Sequence, residues 1–146
     1  MTDARTVAIA ALLLRVALGV MFLSHSLVLK LYVFTLAGNA QFFASIGLPA
    51  ALGYVVFAAE AIGGVLLILG VQSRWVALAL LPILLGAVWV HAPNGWMFAY
   101  AKGGWEYPAY LAVLAIAQAL LGDGAYALSP SRPLTLRAVP SPVFAR

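Results

Sequence analysis

Residues Gly53–Gly70 read GYVVFAAEAIGGVLLILG, an almost wholly apolar run with one carboxylate, Glu60, near its middle. A bilayer core about 30 Å thick is crossed by about 20 apolar helical residues, within a range of about 17–25. Taken from residue 50 to residue 71, the run has that length. A soluble helix of the same length would show a polar face, and this one has none.

Working outward, three more runs qualify: residues 7–31, residues 75–92 (WVALALLPILLGAVWVHA) and the shorter residues 107–122. The chain has 146 residues, 65% of them hydrophobic and 8% charged. Ordinary soluble domains are about 25% charged, so this chain lacks the polar surface to cover itself in water. The expectation is an all-α membrane protein. Residues 1–128 form a four-transmembrane-helix bundle, and residues 129–146 form an irregular cytoplasmic tail with four prolines and three arginines. Arg5 before an apolar run has the outline of a signal peptide. Arg15 interrupts that run, however, and its length exceeds the usual apolar core of about 7–15 residues. It reads as a retained helix.

The breaks between spans read as turns. Gly70–Arg74 makes a tight hairpin, Gly103 and Gly104 precede the last span, and Pro108 suits a first helical turn. Pro82 predicts a kink in the third span. The connection TLAGNAQFFASIGLPA predicts a short interfacial helix, capped by Asn39, ended by Gly47 and stopped by Pro49. Phe42, Phe43 and Ile46 share one of its faces.

The net charge is +4, and in a membrane chain that excess reads as topology rather than nucleic-acid binding. Four spans put Arg5, Arg74, Arg132, Arg137 and Arg146 on one side, with Lys30 and Lys102 on the other. The positive-inside rule then places both termini in the cytoplasm, the membrane being a bacterial inner membrane. The opposite face is aromatic, with Tyr32, Phe34, Trp96, Phe98, Tyr100, Trp105 and Tyr107. There is no cysteine, which excludes disulfides, thiolate metal sites and cysteine redox chemistry by this chain. Two histidines and four carboxylates are too few for an elaborate metal centre, so no metal is expected.

A charge at the centre of a membrane helix costs about 2.5–3.5 kcal/mol on the insertion scale, so Arg15 and Glu60 should pair, neutralise or line water. At 1.5 Å per residue, Arg15 lies about 12 Å into the first span and Glu60 about 15 Å into the second, both near the midplane. Gly53, Phe57, Glu60, Gly64 and Leu67 form one stripe at helical spacing, and Arg15, Gly19, Phe22 and Ser26 another. Glycines on both stripes permit close approach. The expectation is a structural ion pair between Arg15 and Glu60. Glu60 reads equally as a register-fixing ion partner or as a proton carrier. A second group lies at the outer level: His25, His91, Asn94 and Glu106, ringed by Trp96, Trp105 and Tyr107. Glu106 is also explained as a carboxylate favoured at a helix start.

The segments RVALGVMFLSHSLVLKL, GLPAALGYVVFAAEAIGGVLLILGVQSRW, HAPNGW, GGWEYP and GDGAYALS, in that order over residues 12–129, resemble the DoxX-like membrane proteins. The resemblance implies four membrane helices. It also implies kinship with membrane subunits of quinone-linked sulfur oxidoreductases and terminal-oxidase systems. The family's recurrent polar positions fall on Arg15, His25, Lys30, Glu60, Arg74, His91, Asn94 and Glu106. Two departures stand out. Ser26 replaces a common glycine, and Lys30 follows His25 by five residues where many members use four. In an α-helix that extra residue turns the lysine by about 100°, so Lys30 is expected to snorkel to the surface.

Three functions fit these residues. The first is a quinone-interacting membrane subunit with its ligand site at His25, His91, Asn94, Trp96, Trp105, Glu106 and Tyr107, and with Glu60 and Glu106 as proton carriers. It would have no covalent cofactor and no haem or iron–sulfur ligands, and would take electrons from a redox partner protein. The second is a non-catalytic scaffold or assembly factor. The third is a solute or proton transporter working as a homo-oligomer.

Overall fold

The computed structural model describes residues 3–134. Its helices are α1 (Ala4–Leu23), continued by a π-helical segment (Ser24–Val33), α2 (Leu36–Ser45), α3 (Ala50–Leu69), α4 (Ser73–His91) and α5 (Glu106–Leu121). A 3-10 turn, Ala92–Asn94, follows α4. Among the described residues the only extended pairing is a lone bridge between Val71 and Ser129. Residues 135–146, including Arg137 and Arg146, lie outside the described residues.

Three helical segments are long and apolar enough to cross a membrane: Ala4–Val33, Ala50–Leu69 and Ser73–Asn94. The 16 residues of α5 fall short. At 1.5 Å per residue α5 is about 24 Å long. The helices close in a ring, α1 beside α3, α3 beside α4, α4 beside α5 and α5 beside α1, while α2 lies on α3. The core inside the ring is Leu18, Phe22, Leu67, Ala77, Leu80, Leu84, Leu111, Ala112 and Ala115. Leu13, Val55, Ile62, Leu85 and Val113 face outward, each more than half exposed. An apolar exterior of that extent is disfavoured in water and favoured in hydrocarbon.

The two small-residue stripes do meet. Arg15, Gly19, Phe22 and Ser26 are all buried, as are Gly53, Glu60, Gly63, Gly64 and Leu67. A Cβ on Gly19 would sit 2.7 Å from the carbonyl oxygen of Gly64, so the backbones of α1 and α3 touch. The hairpin from α3 to α4 turns on Gly70 at φ 71 and Gln72 at φ 49. α4 continues through Pro82 as a single helix. The cap of α2 differs from the expectation. Thr35 is the N-cap, its hydroxyl accepting from the Gly38 N–H. Asn39 lies inside the helix, buried, and donates to the Gly53 carbonyl at 2.8 Å. It therefore anchors α2 to α3. Gly47, at φ 81, ends α2 as expected.

At the end shared by the α3–α4 hairpin, the loop after α5 folds back over α1. The Arg15 guanidinium donates to the carbonyls of Asp123 (2.9 Å), Ala125 (3.0 Å) and Tyr126 (3.1 Å). Asp123 accepts from Ser73 N–H at 2.7 Å, Ser131 N–H at 2.8 Å and the Ser131 hydroxyl at 3.2 Å. Burial pushes the Asp123 carboxyl up, but these bonds from Ser131 and Ser73 outweigh it and hold it below the ordinary carboxylate range. Arg74, one of the charges that the positive-inside reading places on the cytoplasmic side, is buried. It donates to the last carbonyls of α5, at Ala119 and Leu120, where a cation also meets the helix dipole.

Candidate functional site

The partner of Glu60 is Lys30, at 2.5 Å, with side-chain exposures of 6% and 18%. The expected Arg15–Glu60 pair does not form. α1 and α3 run antiparallel with Gly19 against Gly64, which puts Arg15 beside Gly70, some ten residues along α3 from Glu60. Both residues sit on the expected faces but at different depths. The depth estimate failed because the first helix begins at Ala4 and extends beyond the end of α3, where the post-α5 loop takes up Arg15.

Lys30 does not snorkel away. The segment Ser24–Val33 is π-helical, so its turns close from residue i to i+5. A π-helix turns through less angle per residue than an α-helix, so the five-residue step leaves Lys30 nearer the His25 face than an α-helix would. The π-helix thereby turns Lys30 onto α3.

His25 forms the outer edge of this group. Its Nδ1 lies 2.9 Å from the Met21 carbonyl oxygen. A carbonyl only accepts, so Nδ1 carries the proton and Nε2 is the free nitrogen. The ring lies within electrostatic range of Glu60 and stacks on Tyr107, with centroids 6.1 Å apart and planes at 22°. His91 is held the same way, Nδ1 to the Ala87 carbonyl at 2.8 Å, but its ring turns toward Gly103. Asn94 donates to the Lys102 carbonyl at 3.0 Å and so fastens the loop between α4 and α5. Among the described residues, no hydrogen bond or ring contact joins His91 or Asn94 to His25 or Glu106. The expected outer-level group is thus divided: His25 belongs with Lys30 and Glu60, and His91 and Asn94 belong with the loop.

Glu106, Trp96, Trp105 and Tyr107 do come together. They line a groove of about 610 Å³ with Phe98, Tyr110 and Val113. Trp96 and Trp105 meet edge to face at 4.5 Å, and Phe98 and Tyr107 are tilted at 5.4 Å. Glu106 Oε1 accepts the Phe98 N–H at 2.7 Å, which fixes the carboxylate to the loop. Backbone bonds from Trp105 N–H to Gly95 O and from Glu106 N–H to Trp96 O close the loop's neck. The groove lies where α5 begins late. Glu106, Ala109, Tyr110 and Val113 are spaced i, i+3, i+4, i+7, so they line one face of α5 over about 10 Å. One end carries the Glu106 carboxylate, the rest of the lining is almost wholly apolar and aromatic, and the other end is the outward-facing Val113. Ligand pockets commonly measure about 300–1,000 Å³ and combine apolar walls with a few placed polar groups.

The DoxX family profile matches residues 10–93. A Bacillus subtilis (strain 168) protein named "Putative oxidoreductase CatD" is 38% identical over 125 residues, spanning 84% of this chain and 86% of that protein. The chain belongs to the DoxX family. No solved structure matches it.

Some residues that build the groove, and Asp123 at the opposite end of the bundle, are not singled out by the sequence. Phe98 reads from sequence only as part of the aromatic face. Tyr110 and Val113 read only as part of the last apolar span, although their spacing from Glu106 places them on one face. Asp123 lay within GDGAYALS, one of the segments carrying the family resemblance, yet its role depends on contacts with Ser73 and Ser131, far away in sequence or beyond the last helix.

Proposed function

We propose that this DoxX chain is a quinone-interacting membrane subunit of an oxidoreductase system, with the groove on α5 as the ring site. One observation carries the reading. The groove has a polar, aromatic end and an apolar end that opens on the lipid-facing side of α5, the shape required by a ring with a hydrocarbon tail. Tyr107 backs that polar end onto His25, behind which lie Lys30 and Glu60. A quinone exchanges protons as well as electrons, and His25 Nε2, Glu60 and Glu106 are groups suited to that exchange. With no cysteine, the chain offers no thiolate ligands for an iron–sulfur cluster, so electrons come from a partner protein. The name of the Bacillus subtilis relative supports redox work.

The same reading has α5 crossing the membrane as a fourth span, both termini being cytoplasmic in a bacterial inner membrane. Two features support it: α5 ends against the start of α4, and Arg5, Arg74 and Arg132 gather at that end.

Tryptophan fluorescence of the purified protein tests the function. A short-tailed ubiquinone or menaquinone analogue should quench it saturably, and the quenching should shrink in Trp96→Phe and Trp105→Phe. Tyr107→Ala should weaken binding about tenfold, equivalent to about 1.4 kcal/mol. Quenching that never saturates, or is indifferent to these substitutions, would leave a scaffold as the better description.

A further inference from the structure

We infer that the groove selects the reduced, hydroxyl-bearing form of its ligand, a hydroquinone, over the quinone, and that Glu106 makes the selection. This rests on the quinone reading above. An ionised carboxylate oxygen can only accept hydrogen bonds. Glu106 Oε1 is occupied by the Phe98 N–H at 2.7 Å. Its Oε2 has no partner among the described residues, and the side chain lines the groove. The loop bond therefore holds a charged acceptor in place with one oxygen to spare.

The two redox forms of the ring differ in what they offer that oxygen. A hydroquinone presents O–H donors, and an O–H bound to a carboxylate makes a short, charge-assisted hydrogen bond. A quinone presents only carbonyl lone pairs, which an anionic oxygen repels. The indole N–H groups of Trp96 and Trp105 are neutral donors that the oxygens of either form accept, so they do not discriminate. The aromatic walls stack on either ring. Tyr110 and Val113 serve either tail. Glu106 is the charged group of the groove, and it favours one form.

The experiment compares decylubiquinol with decylubiquinone, under anaerobic conditions, on the full chain in detergent. The two share a tail and differ at the ring oxygens. The quinol should bind about tenfold more tightly to the unmodified protein. Glu106→Gln keeps an acceptor for Phe98 and adds a neutral N–H₂ donor, so the preference should vanish while quinone binding holds or improves. Glu106→Asp, which retains the charge, should retain a reduced preference. Equal affinity for both forms in the unmodified protein overturns this inference but leaves the quinone reading standing. A preference that survives Glu106→Gln also overturns it. Absence of saturable binding by either form sinks both. Displacement of both forms by tetramethylammonium would reassign the groove as an aromatic cage for organic cations.

Discussion

Lys30 and Glu60 are joined at 2.5 Å, so removing either strands the other. Lys30→Met should destabilise the protein by about 3–5 kcal/mol, and Lys30→Met with Glu60→Gln should recover most of that. Arg15→Met and Glu60→Gln should instead add, with an interaction energy under about 0.5 kcal/mol, because Arg15 bonds carbonyls of the loop after α5. Unfolding titrations in mixed micelles would measure both cycles, and coupling in the second would contradict the assigned partners. Asp123 gives a pH signature. Its folded carboxyl titrates below its unfolded value of about 3.9, so its contribution is complete above that pH and is lost as the pH falls through the folded value. The stability gap between the natural protein and Asp123→Asn should be constant at neutral pH and close in acid. An unchanging gap down to pH 2 would contradict the hydrogen-bonded carboxylate. At this scale the sequence was half legible. Cost dictates that Glu60 must pair, neutralise or line water, and pairing is what the structure shows, but the identity of the partner, Lys30 rather than the expected Arg15, turns on where α1 starts and on a π-helix. Composition encodes neither. His25 and Glu106 were recognised as polar residues at one level, whereas their separate partners, Tyr107 and the Phe98 N–H, depend on how the loop closes.

Among the elements, α1 and α3 meet backbone to backbone at Gly19 and Gly64, and Gly19 tests that contact against an open control, Gly86. Gly19→Ala places a methyl against backbone that cannot yield and should cost about 1–3 kcal/mol. Gly86→Ala meets nothing within 4 Å and should gain about 0.5–1 kcal/mol from helix propensity. Thermal melts in one detergent would rank the three proteins, and an equal loss at both sites would refute the close crossing. Helix existence was easily read: apolar length and the breaks at Gly70 and Gly103–Gly104 set four long segments within a few residues of those observed. The expected stripes on α1 and α3 are also buried, apart from the half-buried Phe57, because small residues at helical spacing mark close contact in lipid. The π-helix was not readable. Its apolar spacing is compatible with an α-helix, and only the seating of Lys30 against Glu60 distinguishes them.

For the whole molecule, the proposed reading has α5 crossing the bilayer, and the absence of cysteine makes that simple to test. Lys102 and Arg132 are both exposed and flank α5. Single Lys102→Cys and Arg132→Cys variants should react with an impermeant maleimide from opposite faces of oriented vesicles, Arg132→Cys from the cytoplasmic face. Labelling from the same face would mean that α5 turns back within one leaflet. The unequal helix lengths have a further effect. The Ala4–Val33 rod has 30 residues and α5 has 16, so one flank of the protein is much taller than the other. Lipids adjust to such mismatch by thickening or thinning locally, each at a fraction of a kcal/mol per Å. The annulus should therefore be pinched beside α5, drawing headgroups down toward Tyr110, and stretched beside α1.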